Sequence, residues 1–441
     1  MTVTGEDLRL LASPGFRRLV QARALGQMAQ NALLYALLIS IVERTGSSIQ
    51  STLLIAAYTA PSVVLGIPGG VIAEVLPRRL LLLVGYLLRA VAVAGMIYYR
   101  DEIEMIYLML MAFATVGQFM GPAESASLPR LVRPEQLPSA NSMMMLTVML
   151  GQVVGAVILA PFLLKILGVT AVELVVIGLL VYAAFIISLV SASQLATPPA
   201  RSDLEPIGLE GALSEGWRII RSSRRAFMAI VYLTMATTLG RAVAVLAPHY
   251  TKDVLGIATE NAVYVMAPAA IGAVIALLLT PFLAKLFGAS RVAAFGFLLL
   301  VAGLLGLGFV VYVRDFVLEN VDLGFSFVEH RLGVSSVITI AMLLAVPVGL
   351  AMTMVIIAAK VVLNQEAPLG IQARVFATQN AISDGASLLP LFVIGGIAEL
   401  IGVRAVLLVA AVASLGGTAY LASSPRFRPP PPTPLVAESA G

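Results

Sequence analysis

The chain has no cysteine, two histidines, one tryptophan and only 12% charged residues over its 441 positions. Without cysteine there is no disulfide and no thiolate nucleophile, and two histidines alone cannot complete a zinc centre. Soluble domains carry about 25% charged residues. Here 59% of residues are hydrophobic and the mean hydropathy is +0.98, so a soluble fold would expose aggregating apolar patches. The composition is that of an integral membrane protein. In that setting a net charge of +4 reflects arginines gathered on the cytoplasmic side, and no nucleic-acid partner is expected. The polar N-terminus "MTVTGEDLRLLASPGF" precedes an apolar stretch too long for a cleavable signal, so that stretch is expected to remain as an anchor.

A helix needs roughly 20 apolar residues to cross a bilayer. Twelve such stretches occur, near 18–42, 49–73, 79–99, 104–122, 138–164, 169–193, 225–248, 260–287, 290–313, 337–362, 374–399 and 402–423. The expected organisation is a cytoplasmic N-terminus (1–17), a six-helix bundle (18–195), a central cytoplasmic linker (196–224), a second bundle (225–424) and a disordered Pro-rich tail (425–441). Within the linker, Trp217 among Arg218, Arg221, Arg224 and Arg225 suggests a short interfacial helix. With the N-terminus inside, 18 of the 28 Lys and Arg fall in inner segments, seven in outer loops, and three (Arg23, Arg89, Arg241) within spans. That bias places both termini in the cytoplasm, in the inner membrane.

The halves resemble each other. "ILGVTAV" (166–172) matches "LIGVRAV" (400–406), and 314–336 is an acidic insertion in the second half, expected to be extracellular. Repeated six-helix units suit a transporter whose site lies between them.

Few polar residues interrupt the spans. Arg23, Gln27, Asn31 and Tyr35 recur at steps of four on the first stretch, with Gln30 beside them; Gln118 lies on the fourth. Thr234, Thr237, Thr238 and Arg241 share the seventh. Arg241 cannot shed its proton, so it serves an anion, joins an ion pair or snorkels outward. Asp384 reads as the one carboxylate well inside a span: a proton carrier, a partner of Arg241, or a group bonded to Asn380. The methionines read mainly as core filler. The pairs Gly66/Gly70 and Gly151/Gly155 would let helices approach closely.

Five segments carry a resemblance. "GVIAEVLPRR" (70–79), "GPAESASLPRLVRPEQLPSAN" (121–141), "LNQEAPLGIQARVF" (363–376), "ERTGSS" (43–48) and "SEGWRIIRSSRR" (214–225) are similar to loops of the major facilitator superfamily, in its drug-exporter-like branch. Glu74 stands where that family usually has Asp. Gly155-Ala156 replaces a Gly-Pro signature, and Gln27 stands where the branch often has an acid. The resemblance implies an all-α fold of twelve transmembrane helices in two pseudo-symmetric bundles, with helices 1, 4, 7 and 10 lining the cavity. It makes Gln27, Gln30, Asn31, Tyr35, Gln118, Thr234, Thr237, Thr238 and Arg241 cavity residues. It sets Glu74 against the start of helix 11 near Arg374 as a gate and makes Arg89 structural. Arg78 and Arg79, beside that gate, either hold anionic headgroups or are loop charges that set topology.

The expected function is secondary active transport by alternating access, exporting an amphipathic small molecule, with Asp384 coupling to protons. "QNALLYALL" (30–38) also resembles lysophospholipid transporters, which makes lipid movement the alternative; a non-transporting receptor or assembly factor is another. An enzyme would need a nucleophile–base pair or metal cluster, and only His249 and His330 are present. No catalytic residue, metal or cofactor is expected. The expected partners are a small-molecule or lipid substrate, membrane lipids and protons, with the chain acting as a monomer.

Overall fold

Lipid offers no partner for backbone N–H and C=O groups, so each apolar stretch must bond to itself as a helix. The computed structural model describes residues 12–133, 136–191, 223–258, 263–320, 335–366 and 372–423, with Leu195, Trp217, Arg218 and Arg221. Twelve helices among them are long and apolar enough to span a membrane. They are α1 (Pro14–Thr45), α2 (Ser48–Val75), α3 (Arg78–Tyr98), α4 (Ile103–Leu131), α5 and α6 (Val169–Ser188) in the first half. The second half holds α7 (Arg224–Asp253), α8 (Val263–Phe287), α9 (Ala289–Gly308), α10 (Ser336–Glu366), α11 (Gln372–Ile401) and α12 (Val403–Ser423). The fifth helix, α5, runs Leu137–Val153, widens into a π-helical Val154–Leu159 and finishes as Ala160–Leu167.

Each half has its own core. Phe16, Leu33, Leu82 and Phe113 centre the first; Phe297, Leu300, Val348 and Leu407 lie in the second. The repeated heptapeptides now have a physical meaning. Gly168 and Gly402 occupy equivalent turns, α5–α6 and α11–α12, at φ of 80° and 83°, where a side chain would be strained. Helices alternate in direction, so α1 and α12 place the chain's two ends at one pole, the terminal end. The turns α1–α2 and α11–α12 lie at the other, the far end.

Four expectations need correcting. The fourth span does not stop at 122: α4 continues to Leu131, because Pro122 is tolerated within a membrane helix. Asp384 is therefore not the one carboxylate well inside a span, since Glu124 is buried within α4; Glu173 is buried near the start of α6. The ninth helix ends at Gly308, and a separate helix, Val310–Asn320, opens the insertion; 321–334 lie outside the described residues. A Cβ on Gly66 would have nothing within 4 Å, whereas one on Gly69 would fall 2.6 Å from the Gln118 carbonyl oxygen; Gly70, the other member of the expected pair, lies outside the described side chains. Trp217 packs on the second half's core; most of its linker, and the tail after Ser423, lie outside the described residues.

Candidate functional site

The polar face of α1 meets α3 and α4 around a cavity of about 150 Å³. Arg23 forms an ion pair with Glu124, which α4 brings in from the opposite wall and which is only 2% exposed. The Tyr86 hydroxyl donates to Glu124 Oε1 at 3.1 Å and lies 3.0 Å from the Ala22 carbonyl. Arg89 is also buried. It donates to the Phe113 carbonyl and to Gln30 Oε1, both at 3.1 Å, and stacks 4.2 Å over the Phe113 ring. Gly117 makes that seat possible, because any Cβ there would collide with the guanidinium.

Of the expected cavity residues, Gln27, Gln30 and Gln118 line this space, and Gln118 also donates a long 3.4 Å bond to the Ala114 carbonyl. Asn31 and Tyr35 are not among the lining residues. Asn31 returns its amide to the Gln27 carbonyl at 2.8 Å, and Tyr35 is buried in the first half's core. A helical face read at steps of four thus divides, because the cavity spans only two turns of α1.

The second half holds its own polar group. Arg241 forms an ion pair with Asp384 and donates to Ser387. Thr234 exchanges a 3.0 Å bond with Ser383, and Gln379 donates to Ser383 at 3.1 Å. Thr237 and Thr238 bond back to carbonyls of α7, so of the three threonines only Thr234 reaches another helix through these bonds. Asp384 is not confined to its half: Ser62 of α2 donates to Asp384 Oδ2 at 2.6 Å.

The halves also join toward the far end. Ser47 and the Ile49 amide, at the start of α2, both donate to Glu399 near the end of α11. Ser51 lies 3.4 Å from His249, which is buried. Ile55, Val245 and Leu391 form a small apolar cluster across the seam. Gly395 admits Thr52 where a Cβ could not fit. These contacts run from the far end to the level of Asp384.

Two bundles of six helices, joined toward one pole and carrying an ion pair in each half, invite comparison with known transporters. The profile of the Major Facilitator Superfamily matches residues 22–390. The chain belongs to that superfamily. Its fold is similar to a mutant form of the nucleoside transporter NupG, with a TM-score of 0.71 at 12% identity over 94% of this chain and all of that one. A bacterial homologue of the human lysosomal transporter Spinster gives 0.67 at 14% identity, covering 93% and 95%. A bacterial homologue of the iron transporter ferroportin, inward-facing, gives 0.63 at 14% identity, covering 95% and 99%. At these identities the likeness is one of fold. Among curated protein sequences none matches.

The superfamily-like loop at 70–79 is placed in part. Arg78 is buried and donates to the Ala126 carbonyl at 2.8 Å; Arg79 donates to the Ser188 carbonyl at 2.5 Å. Both reach carbonyls of their own half, and with Arg18 on the Leu189 carbonyl, Arg79 caps the end of α6. Glu74 lies in the last turn of α2 and Arg374 in the first turn of α11, but both side chains lie outside the described residues.

Glu124, Ser62 and Glu399 went unanticipated. Three arginines within the spans against one acid was the available signal for Glu124, because a membrane-buried guanidinium calls for a counter-charge. Nothing marked Ser62 or Glu399, whose partners are hundreds of residues away.

Proposed function

We propose that this chain is a secondary active transporter in the inner membrane, with both termini cytoplasmic, that exports an amphipathic small molecule by alternating access and couples to protons through Asp384. The observation that carries the reading is the joint of Arg241, Asp384 and Ser62. It ties an ionisable group of one half to the other half, well inside the helices that carry Ser62 and Arg241. Charge-assisted hydrogen bonds are roughly twice as strong as neutral ones. An ionised Asp384 therefore holds the halves together toward the far end; protonation removes the ion pair and weakens the Ser62 bond, which favours opening there. Export, rather than uptake, rests on the likeness of 121–141 and 363–376 to drug-exporter loops. In the opposite state Glu74, near Arg374, closes the terminal end.

Proteoliposomes under an imposed pH gradient test this, with an amphipathic dye and a fluorescent lysophospholipid as separate cargoes. Asp384→Asn mimics the protonated acid. It should abolish gradient-driven transport while keeping substrate binding within a few-fold of wild type. Unchanged gradient-driven transport in the mutant would remove the coupling role. Movement of the lysophospholipid but not the dye would make lipid the cargo, and movement of neither would favour a receptor.

A further inference from the structure

The charges around the first half's cavity do not balance. Arg23 and Arg89 face it with two guanidiniums, and Glu124 answers with one carboxylate. Arg23 takes that carboxylate. Arg89 has neutral partners: a carbonyl, the Gln30 amide oxygen and the Phe113 ring. Its proton cannot be lost to settle the matter, since arginine remains charged under all physiological conditions. At the second half's joint, by contrast, Arg241 and Asp384 cancel.

Donors toward this cavity are in surplus as well. The Arg23 Nε is buried without a hydrogen-bond partner among the described residues. Gln27 adds an amide to the lining, and among the described residues the Gln118 amide makes one bond, the long one to Ala114. The cavity, about 150 Å³, has room for a carboxylate, sulfonate or phosphate group.

Resting on the transport reading above, we infer that this cavity seats the anionic head of the cargo, between Arg23 and Arg89, so that the transported amphiphile is an organic anion. An incoming oxyanion supplies the charge that Arg89 lacks and accepts from donors now idle. The fork of a guanidinium matches its oxygens two at a time. Arg89 thus becomes a specificity-determining residue beside its structural role.

The test is binding to the purified full-length protein in nanodiscs, with octyl phosphate, octyl glucoside and octyltrimethylammonium as chain-matched probes. Lysophosphatidylglycerol and lysophosphatidylcholine form the lipid arm. The anionic member of each set should bind at least tenfold tighter than its uncharged, zwitterionic or cationic counterparts. Preference confined to octyl phosphate makes the cargo a soluble anion; a stronger preference for lysophosphatidylglycerol makes it a lipid. Arg89→Gln should erase the preference. Should that variant misfold, Gln118→Glu adds an acid to the same lining and should turn the preference toward the cation. Equal binding of all three octyl probes, or an anion preference that survives both substitutions, overturns the inference. Anion binding without transport of any cargo would keep the site and remove the transporter; transport of cations alone would do the reverse.

Discussion

Glu124 faces a guanidinium, a phenol and little water, so its charge is needed where it stands. Glu124→Gln keeps the shape and an acceptor for Tyr86 but leaves Arg23 without its counter-charge. Removing one member of a buried ion pair costs about 3–5 kcal/mol, whereas replacing both members is often nearly neutral. Arg23 is 24% exposed, so the lower figure, about 3 kcal/mol, is the appropriate upper value. Thermal unfolding in detergent should show the single mutant well below wild type and Arg23→Gln/Glu124→Gln partly recovered. A double mutant no better than Glu124→Gln would mean that the pair is not what holds the carboxylate. The pairing also marks how far single residues could be read. Spacing alone put Arg23, Gln27 and Gln30 on one face, and they share the cavity. Glu124 was hidden because 121–141 read as an inner loop. Arg241 with Asp384 was one of three options that the sequence left open, since partners 143 positions apart leave no local pattern.

Helix existence was legible nearly everywhere, because twenty apolar residues have no other way to cross lipid. Helix rotation was not. A pair of glycines four apart says that some helix approaches, but which glycine faces it depends on packing, and so Gly69 rather than Gly66 meets α4. Among the described glycines, the tightest approach is between α8 and α10. A Cβ on Gly349 would fall 2.8 Å from the Ala269 Cα, and one on Gly272 would fall 2.8 Å from the Leu350 amide nitrogen. These neighbours are backbone, so they cannot swing aside. Gly349→Ala should therefore force α8 and α10 apart and destabilise by about 1–3 kcal/mol, the usual penalty for overpacking. Gly416→Ala, which meets nothing within 4 Å, should lie within about 0.5 kcal/mol of wild type. Equal unfolding temperatures for the two would mean that the helices have room to separate. The π-helical turn of α5 belongs to the same scale: Gly155 there seats against the Met28 backbone of α1, at the position where the family pattern had suggested Gly-Pro.

At the scale of the molecule, orientation rests on the arginine count and has a direct check. Glu319 is exposed on the helix that opens the insertion. Glu319→Cys, in a chain otherwise free of cysteine, should react with an impermeant maleimide in intact cells. Labelling only after lysis would invert the topology from α9 onward.

The two poles are then related through one antiparallel helix pair. Glu399, near the end of α11, accepts from Ser47 and Ile49 at the start of α2. Glu74, near the end of α2, is proposed to meet the start of α11. A carboxylate near a helix N-terminus is favoured by about 0.3–1 kcal/mol when exposed, and neither contact can persist when its own pole opens. At 1.4 kcal/mol per tenfold, each biases the two-state ratio by at most about fivefold. The signs are opposite. Glu399→Gln should enrich the form open at the far end, lengthening distances between spin labels placed on the α1–α2 and α11–α12 turns. Glu74→Gln should shorten those same distances on average and lengthen those across the terminal end, while the double mutant should return near wild type. Shifts of the same sign in both single mutants would show that the two glutamates do not oppose each other. The bias between the poles would then lie in the apolar seam of Ile55, Val245 and Leu391.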